Sequence, residues 1–216
     1  DKEVSRLISE VSLPSPRGSS WKIVGEDLIE HYVSSCAEGS SEATAQKIVY
    51  TAMHGVGTQT LLSVFEAANF STPILVEHQC KPDPDFPTVQ FPNPEEPGAM
   101  DLAIKLAISE SADLVIANDP DAARCAVAAK DLAGTWRTLR GDELGIILGH
   151  YISKSQRVVG KTFATTIVSS SALEKIAKNC GANFQETLTG FKYLSKINNL
   201  AYGYEEAIGY AVDSET

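Results

Sequence analysis

The apolar run Leu114-Val115-Ile116-Ala117 passes directly into Asn118-Asp119-Pro120-Asp121, so a buried strand ends on two carboxylates. Open α/β sheets keep their chemistry just beyond the carboxyl ends of such strands. In an extended segment, side chains at i and i+2 lie on one side, so Asp119 and Asp121 can converge on a hard cation such as Mg²⁺. A third oxygen ligand is expected at i+4, and that position is Ala123. The same residues also spell an Asp-Pro turn capped by Asn118, because Asn, Asp and Pro are favoured turn residues.

The rest of the chain alternates strand and helix patterns. Lys47 to Ala52 predicts a strand, Leu61, Val64, Phe65 and Ala68 a helix face, and Pro73 to Glu77 a second strand. From Lys81 to Pro97 the prolines forbid regular structure, since each removes a donor and restricts the residue before it. Met100, Ala103, Ile104, Ala107 and Ile108 then mark a helix, and Cys125 to Ala129 a strand beyond the acidic loop. A second unit opens near Thr135, with Arg137 to Leu139 as a short first strand. A helix follows with Leu144, Ile147, Leu148, Tyr151 and Ile152 on one face and Asp142 and Glu143 in its first turn, then a strand over Thr162 to Val168 and a helix from Leu173 to Cys180. A strand over Phe184 to Leu188 and a short helix after Gly190 lead to Ala201–Glu206. The expected organisation is an N-terminal segment over 1–45, an α/β unit over 46–134 and another over 135–216.

The chain has 216 residues, 43% of them hydrophobic, enough for one or two cores, and a net charge of −10. That charge excludes an electrostatic nucleic-acid binder, which needs clustered Lys and Arg. Four cysteines stand far apart with no Cys-x-x-Cys pair, so neither a zinc site nor a disulfide scaffold is indicated, and we expect them reduced and mostly buried. No apolar run reaches the ~20 residues that span a bilayer, and no signal-peptide pattern is present; a cytoplasmic location is expected.

Four motifs in order carry a resemblance. Asp119-Pro120-Asp121-Ala122-Ala123-Arg124, Gly141-Asp142-Glu143-Leu144-Gly145, Thr189-Gly190-Phe191-Lys192 and Gly203-Tyr204-Glu205-Glu206-Ala207-Ile208-Gly209-Tyr210 together resemble the α-D-phosphohexomutase family, the phosphoglucomutases and phosphomannomutases. Tyr50 to Gly57 and Phe91 to Pro97 are similar to its second domain, especially in the phosphopentomutase and glucose-bisphosphate-synthase-like branch. The resemblance covers about residues 47–212 and implies two consecutive mixed-sheet α/β domains, the family's second and third, the latter incomplete. The family's first and fourth domains have no counterpart here. Residues 1–45 would be the tail of the first, and apolar surface left without its neighbours would favour self-association.

What the resemblance implies is a mutase in which a phosphoserine on the first domain exchanges phosphoryl groups with a hexose or pentose phosphate. The family's metal loop falls on Asp119, Asp121, Ala123 and Arg124, so Mg²⁺ would be held weakly, with Arg124 assisting as a donor fork. A surface ion pair is the plainer role for Arg124. The sugar loop falls on Glu205, Glu206 and Ala207, the last without the hydroxyl that many members carry. A solvated acidic turn would look the same. Thr189, Gly190 and Lys192 would contact phosphate or hydroxyl groups; without the resemblance Thr189 reads as a helix N-cap.

No nucleophile is assigned. Thr51-Ala52-Met53-His54 is similar to the phosphoserine loop but has Met53 at the nucleophile position, and Ser169-Ser170-Ser171 suits a helix cap. Other classes remain open. A haloacid-dehalogenase-type phosphatase would use Asp119 as nucleophile, although Ala123 and the strand at Cys125 oppose it. A dinucleotide module would use His54-Gly55-Val56-Gly57, although the full glycine pattern is absent. A non-catalytic sugar-phosphate-binding fragment is the third. For the mutase reading, the chain alone is expected to be inactive.

Overall fold

A computed structural model describes residues 2–11, 18–38 and 45–212. The chain divides into two compact units, residues 1–31 and 32–216. In the first, helix α1 (Lys2–Glu10) is held by Arg6, which bridges Glu3 at 2.6 Å and Glu10 at 2.5 Å. Val4, Leu7, Ile8 and Val11 recur at helical spacing and are exposed. Helix α2 (Glu26–Ala37) crosses the division between the units.

The second unit is built on two mixed sheets. Strands β1 (Ile48–Thr51), β2 (Ile74–Leu75), β3 (Leu114–Asn118), β4 (Cys125–Lys130) and β5 (Trp136–Thr138) form the first, in the order β2-β1-β3-β4-β5. The first three run parallel, and β4 and β5 antiparallel to their neighbours. Side-chain alternation sends the two faces to different cores. Val49 and Val115 pack with Ala103 and Ala107 of helix α4 (Asp101–Ser109). Tyr50 and Ile116 cluster with Leu61 of helix α3 (Gly57–Ala67). Residues 81–97 contain neither helix nor strand, as the prolines require.

The second sheet holds β6 (Thr162–Thr166), β7 (Asn183–Thr187), β8 (Leu200–Glu205) and β9 (Gly209–Ala211), in the order β7-β6-β8-β9. Helices α5 (Gly141–Ile152) and α6 (Ala172–Asn179) contribute Leu148, Ile152, Leu173 and Ala177 to the core containing Phe163 and Tyr202. Leu194 of α7 (Phe191–Leu194) clusters instead with Ala164 and Leu200. The Tyr202 hydroxyl donates to the carbonyl of Gly145 at 2.7 Å, fastening β8 to α5.

The second sheet repeats the wiring of the first. In each, the first strand lies between the second and third, which run parallel to it, and the fourth returns antiparallel along the third. The β3–β4 turn and the β8–β9 turn therefore occupy the same place in the two sheets.

Two elements differ from the sequence reading. The strand assigned to the opening of the unit over 135–216 pairs instead with β4, through Ala128↔Thr138 and Lys130↔Trp136, and completes the first sheet. The cause is local: Asp131 Oδ1 accepts from the N–H groups of Ala133 and Thr135, and Gly134 takes φ +84°, closing a hairpin. Strand β9, three residues long, is too short to show a period and was not expected. The four cysteines are free thiols, but only Cys80 is fully buried; Cys125 and Cys180 are half-buried and Cys36 is exposed. No helix among the described residues is long and apolar enough to cross a membrane.

Candidate functional site

The acidic loop is a closed turn, not an extended segment. The Tyr50 hydroxyl donates to Asn118 Oδ1 at 3.0 Å, and Asn118 Nδ2 donates to the carbonyl of Arg124 at 2.7 Å, so one amide ties both ends. The Ala122 N–H donates to the carbonyl of Asp119 at 2.9 Å, with Ala122 in the left-handed region at φ +58°. Asp119, 5% exposed, accepts from the Arg124 N–H at 2.8 Å and from Arg124 Nε at 2.7 Å. Asp121 is exposed, accepts from the Ala123 N–H at 3.2 Å, and lines a cleft of about 440 Å³ with Val56, Gly57 and Leu61. Asp119 is thus buried and Asp121 exposed, and the two sit on a turn instead of the extended segment that the i, i+2 argument assumes.

Among the described residues no three acidic, His or Cys side chains form a group able to hold a metal. Two carboxylates still suit Mg²⁺, which keeps several waters and is commonly held by one or two carboxylates together with substrate phosphates. Ala123, exposed at the loop's end, offers no side-chain oxygen.

The β1–α3 turn supports this loop from below. Met53 and His54 both lie in the left-handed region, at φ +47° and +62°, a conformation that costs roughly 1–2 kcal/mol per residue. A polar network offsets that cost. The Thr51 hydroxyl donates to Gln79 Oε1 at 2.7 Å, Gln79 Nε2 donates to the Thr88 hydroxyl at 2.9 Å, and His54 Nε2 meets the same hydroxyl at 2.7 Å. Beyond it, the Val56 N–H donates to the carbonyl of Pro120 at 2.9 Å. A Cβ at position 55 would lie 2.3 Å from Pro120 Cα, so only glycine permits this approach.

Sequence reasoning missed Asn93. Its Oδ1 accepts from a terminal nitrogen of Arg124 at 3.3 Å and from the Glu95 N–H at 3.2 Å, docking the proline-rich loop onto the guanidinium. The nearby Glu95 carboxyl is held above the usual carboxylate range, first by partial burial and then by Glu206 and Glu96, with Arg124 opposing.

The second loop is also pinned. A Glu205 carboxylate oxygen accepts from the Gly190 N–H, with Gly190 at φ +123°, so the structure does bring the Thr189–Gly190 segment to the acidic pair. Glu206 Oε2 accepts from the hydroxyls of Thr166 at 2.9 Å and Ser169 at 3.0 Å, while the Ser169 hydroxyl accepts from the Glu206 N–H at 3.0 Å. Ala207 is half-buried in the turn, and Thr189 is exposed. The N-cap position of α7 is Gly190, without a side-chain cap, so Thr189 is no cap. Lys192 is exposed, its ammonium 5.2 Å from the centre of the Tyr193 ring. Of the serine run, Ser171 is the N-cap residue of α6 but makes no side-chain cap bond; the Ser170 hydroxyl accepts from the Ala172 N–H at 3.3 Å, and Ser169 serves Glu206.

The two loops meet. The Cys125 N–H, one residue past Arg124, donates to the carbonyl of Ile208 at 3.0 Å. The start of α5 presses on the same turn, since a Cβ at Gly141 would lie 1.8 Å from the Glu206 carbonyl oxygen. Asp142 Oδ1 accepts from the Ser170 N–H at 2.7 Å and the Tyr204 hydroxyl at 2.9 Å, which explains acidic Asp142 at the helix start.

Comparison with known proteins fits this arrangement. Residues 27–134 match the family description "Phosphoglucomutase/phosphomannomutase, alpha/beta/alpha domain II", and residues 140–216 match domain III of the same family. The first match takes in most of α2, which the sequence reading grouped with residues 1–45. A probable phosphomannomutase of Haemophilus influenzae is 43% identical, over 100% of this chain and 45% of its own length. Human phosphopentomutase is 35% identical, over 97% of this chain and 39% of its own. The chain thus spans less than half the length of these relatives. Among solved structures, a phosphoglucomutase/phosphomannomutase family protein of Burkholderia thailandensis shares the fold with a TM-score of 0.73 at 16% identity. That likeness covers 88% of this chain and 40% of that one.

Proposed function

This chain belongs to the α-D-phosphohexomutase (phosphoglucomutase/phosphomannomutase) family, and we propose that it supplies the cation-binding and sugar-binding loops of a mutase that relocates a phosphoryl group on a hexose or pentose phosphate. In this reading Asp119 and Asp121 hold Mg²⁺, and phosphoryl oxygens fill positions that Ala123 leaves to other ligands. The cation would neutralise charge on the transferring phosphoryl group. Arg124 is fixed through Nε by Asp119 and through one terminal nitrogen by Asn93, which leaves further N–H donors for a phosphoryl oxygen. Glu205 and Glu206 accept from sugar hydroxyls, and Thr189, Gly190, Lys192 and Ala207 shape the surroundings of the ring. The phosphoryl-carrying serine and the remaining binding surfaces come, in this reading, from protein beyond these residues, and the reaction runs in the cytoplasm. Turnover by this chain alone is not expected.

The observation that carries the reading is the Cys125–Ile208 hydrogen bond, which sets the acidic loop and the Glu205–Glu206 loop side by side. The test is nuclear magnetic resonance of the ¹⁵N-labelled chain titrated with glucose 1,6-bisphosphate in the presence of Mg²⁺. Shifts centred on residues 119–124 and on 189–192 with 205–208 are expected. Absence of shifts at both loops with hexose and pentose phosphates alike would remove the proposal.

A further inference from the structure

Among the described residues, Met53, His54, Ala122 and Ile208 hold a positive φ without being glycine and lie in the three turns that meet at the site. Ile208 alone of them is β-branched. Its φ is +57°, where a branched Cβ crowds its own backbone, so the conformation is costly for isoleucine. The residue is the last of the three that join β8 to β9, since Glu205 pairs with Gly209. Three-residue hairpins commonly end on a left-handed residue, a place that suits glycine. A glycine stands next door but is needed for another purpose: a Cβ at position 209 would lie 2.4 Å from Phe191 Cε2.

Isoleucine gives this turn a buried anchor. The Ile208 side chain is 1% exposed, and its backbone is held on two sides. The start of α5 abuts its nitrogen, to which a Cβ at Gly141 would come within 3.0 Å, and its carbonyl accepts from the Cys125 N–H at 3.0 Å. Two partly exposed groups flank this buried point in sequence. Arg124, with its side chain 32% exposed, precedes Cys125, and half-buried Glu205 opens the turn.

We infer that Ile208 is a positioning residue that fixes the spacing between the acidic loop and Glu205: its buried side chain holds the left-handed turn that aims its carbonyl at the Cys125 N–H. Glycine would reach that conformation without strain, but it would reach others as readily, and the carbonyl would be aimed only part of the time. Strain of this kind persists where the surroundings over-determine a residue, and it gathers at functional sites. In the proposed function Arg124 meets the phosphoryl group and Glu205 a hydroxyl of one sugar phosphate. A spacing fixed beforehand is order that the ligand need not impose on binding.

The inference rests on that reading for its ligand, and its test separates the two. The full chain as wild type, Ile208→Val, Ile208→Ala and Ile208→Gly is compared in two measurements. One is ligand-free exchange of the Cys125 amide proton, referenced to the amides of β6 so that global opening cancels; the other is affinity for glucose 1,6-bisphosphate with Mg²⁺. Ile208→Ala and Ile208→Gly should speed Cys125 exchange and weaken binding about tenfold, the cost of ordering one residue's backbone at the moment of binding. Ile208→Val keeps a branched, buried side chain and should stay within about threefold of wild type in both. A purely structural isoleucine would lower stability with the volume removed yet leave both readouts of the folded protein at wild-type values. That result would overturn the positioning role, as would equal losses in the Val and Ala variants. Should Ile208→Gly fail to fold, Ile208→Ala carries the same two readouts. If wild type binds no sugar phosphate, the function reading falls, and Cys125 exchange decides on Ile208 by itself.

Discussion

Cys125 begins the fourth strand of one sheet and Ile208 lies in the hairpin turn of the other, yet the N–H of the first donates to the carbonyl of the second at 3.0 Å. One main-chain bond thus joins the acidic loop to the Glu205–Glu206 loop, and among substitutions only proline at position 125, which lacks the N–H, would delete it outright. Disturbing either loop should therefore be felt at the other.

Gly141→Ala tests that coupling. The new Cβ would fall 1.8 Å from the Glu206 carbonyl oxygen, a backbone atom that moves only with its turn. Alanine is about 1 kcal/mol better than glycine in a helix interior, but overpacking costs about 1–3 kcal/mol. We expect a net loss of stability in urea unfolding, together with amide shifts at Cys125 and Arg124. A stabilised variant with those shifts unmoved would show that the turn is not rigidly seated.

Ala123→Asp should strengthen cation binding. Losses outside the ligand set already cost about 10–100-fold in metal affinity, and a direct carboxylate should count for no less. Titration of Mn²⁺ as a paramagnetic substitute for Mg²⁺ should show at least tenfold tighter binding in the variant. Equal, weak binding by both proteins would withdraw Asp119 and Asp121 as metal ligands.

Turnover is the third expectation. A coupled assay on glucose 1-phosphate, mannose 1-phosphate and ribose 1-phosphate, with a catalytic amount of sugar bisphosphate, should give no mutase activity from this chain. A rate above ~1 s⁻¹, within the usual range for enzymes, would require a nucleophile among these residues.

Alkaline pH should destabilise the protein in two stages. Burial, then Asp119, pushes the Cys125 thiol from 9.0 up to about 11. The folded thiol holds its proton more tightly than the unfolded one, so its contribution is intact below pH 9.0 and is lost as pH climbs toward about 11. Burial also pushes Tyr50, Tyr202, Tyr204 and Tyr210 upward, extending the loss above pH 10.0. Unfolding free energies from urea titration should fall across this range, by up to about 1.4 kcal/mol per pH unit for each group. Cys125→Ala should flatten the first stage; an unchanged slope there would mean that the thiol ionises freely in the folded state.

The parts of the fold legible in the sequence were those set by local periodicity: the apolar strands at 48–51, 114–118 and 162–166 and the helices with buried faces. Partner choice was not legible. Nothing within Trp136–Thr138 says that it returns to β4, because the tight turn at Asp131–Gly134 decides that. At the site, the sequence marked Asp119, Asp121, Glu205 and Glu206 by type and spacing, but their long-range partners were not legible. The Asp-Pro turn that the sequence also spelled is the one that forms, with Asn118 tying it and Ala122 left-handed. Ser169 reaches Glu206, and Asn93 reaches Arg124, only because distant segments fold together, so no local signal could reveal either contact.

The acidic loop closes on itself through Asn118, Asp119 and Arg124 and leans on Val56, with no contribution from the side chain at position 123. Its shape and the number of carboxylates it carries are therefore independent variables. Natural variation or deliberate design can change how many carboxylates the loop displays while the scaffold that presents them stays as it is.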